Sequence, residues 1–226
     1  MTGANSMTNR TKTEILKNAL LACAGLLLFG LGVYLTIQAN IGAAPWDCFS
    51  LGLSATLGMR FGDAAVLVSF LVVGVDLLLR EKIGIGMLLD AVIVGKTVDL
   101  LNLIGLVPSG HSPFTGVLLM VLGMTVNSFA QAIYMRAALG CGPRDTLMVG
   151  LGRKLDRLPI GAVSGGLQAA VALAGFLLGG PIGLGTVMYA TMQGPIMELA
   201  FRLMRFDAKA VRHQDILESA RILLGK

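Results

Sequence analysis

Two acids stand in the same unusual setting in a chain otherwise poor in charge. Asp47 lies in "NIGAAPWDCFS" (Asn40–Ser50) and Asp145 in "ALGCGPRDTLM" (Ala138–Met148), each just after a proline. Proline suits the first position of a helix, where its missing N–H would have no partner anyway. An acid near the third position then faces the free N–H groups and the positive end of the helix dipole, an interaction of about 0.3–1 kcal/mol at exposed sites. Two readings fit. Either both acids only stabilise helix starts at a membrane surface, or the two helices re-enter the membrane and bring the acids to its midplane to meet an ion or solute.

Lys96 is the sharpest single residue. Counted from Gly84 it lies about 18 Å along its segment at 1.5 Å per residue, near the centre of a bilayer. A lysine there costs on the order of 2.5–3.5 kcal/mol, so it should face the bundle interior and a partner. Asp99, one turn on, can pair with it, and Asp47 is the other candidate. Asp90 stands about 180° from Asp99 around the helix and must look elsewhere. The lysine is then either half of a structural bridge or a solute-binding charge shared with Asp47 or Asp145.

Further polar groups extend an internal seam. Asn127, Gln131 and Tyr134 share one helix face, as do Tyr189 and Gln193, with Glu198 below them. Asp76 and Gln168 stand in two other segments. Each alone could be interhelical glue, and together they outline a hydrated cavity. No nucleophile–base pair, metal cluster or catalytic motif appears. His111 falls in a loop and His213 in the C-terminal tail, so an enzyme is not expected, and neither is a cofactor or a metal. Cys23, Cys48 and Cys141 are isolated and support neither a disulfide framework nor a zinc site.

The elements that position these residues are membrane spans. Of 226 residues 55 % are hydrophobic and only 14 % charged, and mean hydropathy is +0.78. Whole segments are apolar all round, as bilayer-spanning helices are. Six qualify: Glu14–Gln38, Asp63–Leu79, Gly84–Val107, Phe114–Ala138, Ala162–Leu178 and Ile182–Met204. Pro45–Leu57 and Pro143–Leu155 are too short to cross. The net charge of +5 sits at segment ends, as topology determinants do, so nucleic acid is not an expected partner. Arg10, Lys12 and Lys17, then Arg80 and Lys82, then Arg144, Arg153, Lys154 and Arg157, then the tail, fall on one side of a six-span chain. "GLVPSGHSP" and "LLGGPIG" carry no Lys or Arg. Both termini are therefore expected in the cytoplasm, with residues 1–13 a tail and 205–226 an amphipathic helix on the membrane surface.

The chain also repeats itself. A shift of 98 places Ala39 on Ala137, Gly42 on Gly140, Pro45 on Pro143 and Asp47 on Asp145. After one inserted residue, "KIGIGMLLDAVIVGKTVDL" meets "PIGLGTVMYATMQGPIMEL", with Gly95 on Gly194 and Asp99 on Glu198. Each repeat (14–107 and 114–204) holds three spans plus one short helix, so the halves should insert in opposite directions. Inverted repeats with interrupted segments at matching positions are typical of transporters, whose sites lie at the repeat interface.

"GAAPWDCFSLGLS" and "KIGIGMLLDAVIVGKTVDLL" resemble the bacterial YczE/YyaS/YitT group of integral membrane proteins, over roughly Leu28 to Phe201. The resemblance implies a multi-pass protein of the bacterial cytoplasmic membrane and supplies neither substrate nor mechanism. The halves are not equivalent, because Arg144 stands where Trp46 does. The expectation is an all-α polytopic protein that works as a transporter or channel for a small polar or charged solute. Asp47, Lys96, Asp99, Asp145, Glu198, Asn127, Gln131, Tyr189 and Gln193 would line its path. The alternative is a non-transporting scaffold, regulator or membrane subunit. Expected partners are the lipid bilayer, an unknown small solute and a second copy in a homodimer.

Overall fold

The computed structural model describes residues 12–155, 157 and 159–207, and every regular element among them is helical. In order these are α1 (Lys12–Gln38), α2 (Pro45–Leu57), α3 (Phe61–Leu78), α4 (Ile85–Ile104), α5 (Pro113–Arg136), α6 (Pro143–Lys154), α7 (Ile160–Leu177) and α8 (Leu184–Leu203). Their ends fall within three residues of the expected spans and short helices. The N-terminal tail to residue 11 and the expected surface helix from residue 208 on, with His213, lie outside the described residues.

Helices α1, α3 and α5 are long and apolar enough to cross a membrane by length and composition. α4 and α8 are longer than α3, but Asp90, Lys96 and Asp99 dilute the first and Glu198 and Arg202 the second. α7 is apolar and slightly shorter. Large apolar side chains point outward all around the bundle: Leu78 is 81 % exposed, and Phe114, Leu103 and Leu177 are similarly bare. A water-soluble surface does not carry apolar area on this scale.

The centre is the pair α1 and α5. Gly25 faces Tyr134, Gly32 faces Asn127, and Gly123 faces Thr36, so the two helices run antiparallel. An added Cβ at Gly32 would stand 2.9 Å from the Asn127 backbone nitrogen, so this approach requires glycine. Small residues that let backbones close are the usual device of helix pairs in lipid. α4 packs on α1, and α8 on α5. Val33, Tyr34, Leu35, Phe61, Ala65 and Val98 form the largest apolar core cluster, beside a second of Ala39, Met120 and Met124. α2 packs on α7 and α6 on α3, so each short helix rests against the opposite half of the chain.

Contacts recur under the 98–99 residue shift. The Gly86 N–H donates to the Leu139 carbonyl at 2.8 Å, and the Gly185 N–H donates to the Ile41 carbonyl at 2.7 Å. Asn40 and Ala138, also related by the shift, both have left-handed backbones, with φ of 53° and 55°. Asparagine tolerates that region, whereas alanine there costs on the order of 1–2 kcal/mol. The second half keeps the turn even where its residue type is unsuited to it.

Candidate functional site

The two Pro–acid helices meet head to head. Each starts with proline at its first turn, and neither N-cap residue (Ala44 or Gly142) offers a side-chain cap. The free N–H groups of both therefore open toward the junction. There the Arg144 guanidinium, from the start of α6, donates to the Asp47 carboxylate of α2 at 3.4 Å. It also lies over the Trp46 ring, 5.4 Å from its centroid, at cation–π distance. Asp47 is only 3 % exposed, so Arg144 is its compensating charge. Asp145 takes two neutral donors from α5 on the same oxygen, Oδ2: the Tyr134 hydroxyl at 3.2 Å and Gln131 Nε2 at 3.4 Å.

This junction forms one wall of a cavity of about 360 Å³. Trp46, Arg144 and Asp145 line it from the short helices, with Gln131 and Tyr134 from α5. The long helices contribute residues at matching repeat positions. Asp90, Ala91, Val94 and Gly95 of α4 answer Tyr189, Ala190, Gln193 and Gly194 of α8. Ser69 of α3 faces Ser164 and Gln168 of α7. The backbone surround is thus repeated, and the side chains differ. On the α8 side Gln193 Nε2 donates to Ser128 Oγ at 3.3 Å, while Gln193 Oε1 is buried without a donor.

The enclosure is lopsided. At one end α3 lies against α4, with Gly62 pressed on Gly95 and the Gly62 N–H donating to Asp99 Oδ1 at 2.7 Å. The equivalent glycines of the second half, Gly161 and Gly194, have open space beside them, and α7 and α8 scarcely touch. Ala91 and Gly95 are buried, whereas Ala190 and Gly194 are exposed. The cavity opens along α8.

The expected site residues divide accordingly. Asp145, Gln131, Tyr189 and Gln193 are on the cavity wall. Asp47 lies behind Arg144, and fully buried Asn127 lies beside Tyr189. Lys96, Asp99 and Glu198 do not line the cavity. Lys96 pairs with neither Asp99 nor Asp47 but with Asp63, both half-exposed. The reason is local: closure of Gly62 on Gly95 carries Asp63 alongside Lys96 and leaves Asp99 to cap α3. Glu198 pairs with Arg202 on the exposed face of α8, at 2.5 Å. Asp76 of the expected seam is fully buried away from the cavity, and neither of its carboxylate oxygens has a hydrogen-bond partner.

Arg144, expected among the topology-setting charges of its connection, is instead on the cavity wall, and Asp90 and Trp46 join it there although the sequence assigns them no role in the site. A signal for Arg144 and Trp46 was present in the repeat, which matches position 46 to position 144. Asp90 is opposite Asp99 on α4, as its spacing requires. The face with Asp90, not the face with Asp99, is the inner one.

Comparison with known proteins gives a family and no activity. Residues 16–202 match a family described as "Family of unknown function (DUF6198)". The chain is 33 % identical over 180 residues to the uncharacterized membrane protein YczE of Bacillus subtilis, covering 78 % of this chain and 82 % of that protein. An uncharacterized protein of Haemophilus influenzae is 32 % identical over 173 residues, covering 76 % and 78 %. The uncharacterized protein YyaS of Bacillus subtilis is 27 % identical over 177 residues, covering 77 % and 88 %. No solved structure matches. With its outward-facing apolar helices and a family match over most of its length, the chain is a membrane protein belonging to the DUF6198 family.

Proposed function

We propose that this protein is a transporter that moves a small polar or charged solute across the bacterial cytoplasmic membrane by opening one central cavity to alternate sides. Its halves are read as inverted repeats of three spans and one re-entrant helix each, making six spans in all. The observation that carries the reading is that equivalent elements around one cavity stand in opposite states. Gly62 and Gly95 close α3 on α4, while Gly161 and Gly194 stand apart between α7 and α8. Exchanging the two arrangements would close the open end and open the closed one, using contacts the fold already makes once.

Two further features support it. By the antiparallel register of α1 and α5, Gln38 and Arg136 stand roughly 20–25 Å apart along the bundle. Yet Trp46 and Arg144, a few residues beyond each, stack on one another. The segments after α1 and α5 therefore turn back toward the middle, which supports reading α2 and α6 as re-entrant. Arg80, Lys82, Arg153, Lys154 and Arg202 gather at the open end, so positive-inside bias makes this the inward-open state. Residues off the cavity then act at its gates. Asp99 latches Gly62 and Lys96 holds Asp63 across the closed end, and Glu198 would latch the Gly161 N–H after exchange. Asp145, Gln131, Tyr189 and Gln193 meet the solute, backed by Asp47 and Asn127.

The test is the distance between spin labels at Gly161→Cys and Gly194→Cys, positions with free space, in protein whose three native cysteines are alanine. In lipid vesicles two distance populations are expected. Asp99→Asn should shift the balance to the short one by loosening the opposite gate. A single distance that Asp99→Asn leaves unchanged would mean a static bundle and defeat the proposal.

A further inference from the structure

We propose that the solute is a small organic cation carrying N–H donors, a protonated primary amine or a guanidinium, held between Asp90 and Asp145; this rests on the transporter reading above and specifies its substrate. The charges on the wall are Asp90, Arg144 and Asp145. Arg144 is already committed, to Asp47 behind it and to the Trp46 face. Two carboxylates therefore remain on the wall of a partly open site, in the field of that same arginine but with no hydrogen bond from any cation. Asp47, Asp90 and Asp145 share this one arginine, and an entering cation supplies the positive charge the site lacks. An anion would meet the same two carboxylates and gain only an arginine that has a partner.

Hydrogen-bonding capacity independently points to N–H donors. Among the described residues Asp90 accepts no hydrogen bond. Asp145 receives both of its hydrogen bonds on Oδ2, leaving Oδ1 with none. Gln193, also on the wall, keeps a buried Oε1 with no donor. Every one of these is an acceptor. A ligand that satisfies them must donate, which an ammonium or guanidinium group does and a quaternary ammonium does not. Tyr134 and Tyr189 on the same wall add aromatic surface on which a short alkyl part can pack. A space of about 360 Å³ is at the small end of ligand cavities, which limits the solute to modest size.

The experiment is a thermal-unfolding titration of the purified full-length protein in detergent at neutral pH. The probes are n-butylammonium, guanidinium and tetramethylammonium chlorides and sodium butyrate, with ionic strength held constant by sodium chloride. Butylammonium or guanidinium should raise the unfolding midpoint saturably, and tetramethylammonium and butyrate should not. Apparent affinity should fall at least tenfold in Asp90→Asn and in Asp145→Asn. Should Asp145→Asn fail to fold, Asp90→Asn decides alone, because that side chain makes no hydrogen bond the fold depends on. Cation binding indifferent to Asp90→Asn, stabilisation by butyrate that Arg144→Gln abolishes, or no response to any probe would each overturn the cation assignment. None of these alters the α7–α8 distances, which decide the transporter reading separately.

Discussion

Arg144 is the residue on which the junction turns, because it is both the counter-charge of buried Asp47 and the lid on the Trp46 ring. Removing it leaves a carboxylate that is 3 % exposed with no opposite charge. Arg144→Ala is therefore expected to destabilise the protein by about 3–5 kcal/mol, the usual result of breaking one side of a buried pair. Asp47→Asn in the same chain should restore most of that loss, since neither partner is then charged. Thermal unfolding of the two single variants and the double variant closes the cycle. Additive losses would show that the pair is not coupled. The acids at 47 and 145 were legible in the sequence because the Pro–acid pattern recurs. The faces of α4 were not. A lysine deep in an apolar segment is expected to turn inward, but Lys96 is neutralised by Asp63 across the seam between α3 and α4, which only the packing of Gly62 on Gly95 creates.

Between elements, the difference that matters is between two helix starts that the repeat makes equivalent. At Gly62 an added Cβ would stand 2.6 Å from the Asp99 carboxyl carbon and against the Gly95 carbonyl. At Gly161 it would meet nothing within 4 Å. Gly62→Ala should therefore lose about 1–3 kcal/mol by overpacking. Gly161→Ala should gain up to about 1 kcal/mol from the better helix propensity of alanine. Unfolding midpoints in detergent measure both, and equal shifts would contradict the lopsided enclosure. This asymmetry was not readable from the chain. Hydropathy and proline placed the helix ends within three residues, since both are local properties of the segments. The repeat, however, predicts the same packing for α7–α8 as for α3–α4. Which half packs closely depends on small differences in packing free energy, and similar sequence signals specify both halves.

For the whole molecule the Lys and Arg of the connections gather mostly at one end of the bundle, where contacts tie the segments together, while the other end carries Arg60 beside Asp99 and Asn102. Arg153 of α6 pairs with Glu81 in the connection after α3, at 3.0 Å. Arg136 at the end of α5 donates to the Met204 carbonyl just past α8 and lies over the Phe206 ring. The opposite connections, around Ser109–His111 and Gly179–Ile182, hold no Lys or Arg. Under the proposed topology, positive-inside bias would put the basic end, and with it the open side of the cavity, in the cytoplasm. In intact cells expressing a cysteine-free background, a membrane-impermeant maleimide should label His111→Cys and Ile182→Cys. Lys82→Cys and Leu155→Cys should react only after permeabilisation. Labelling of all four in the reverse sense would turn the open cavity outward and keep six spans. Labelling of Lys82→Cys and His111→Cys from the same side would mean that α4, with its three charged residues, does not cross. The proposed inverted halves would then lack matched spans, and the proposal that the central cavity opens to alternate sides would fail with them.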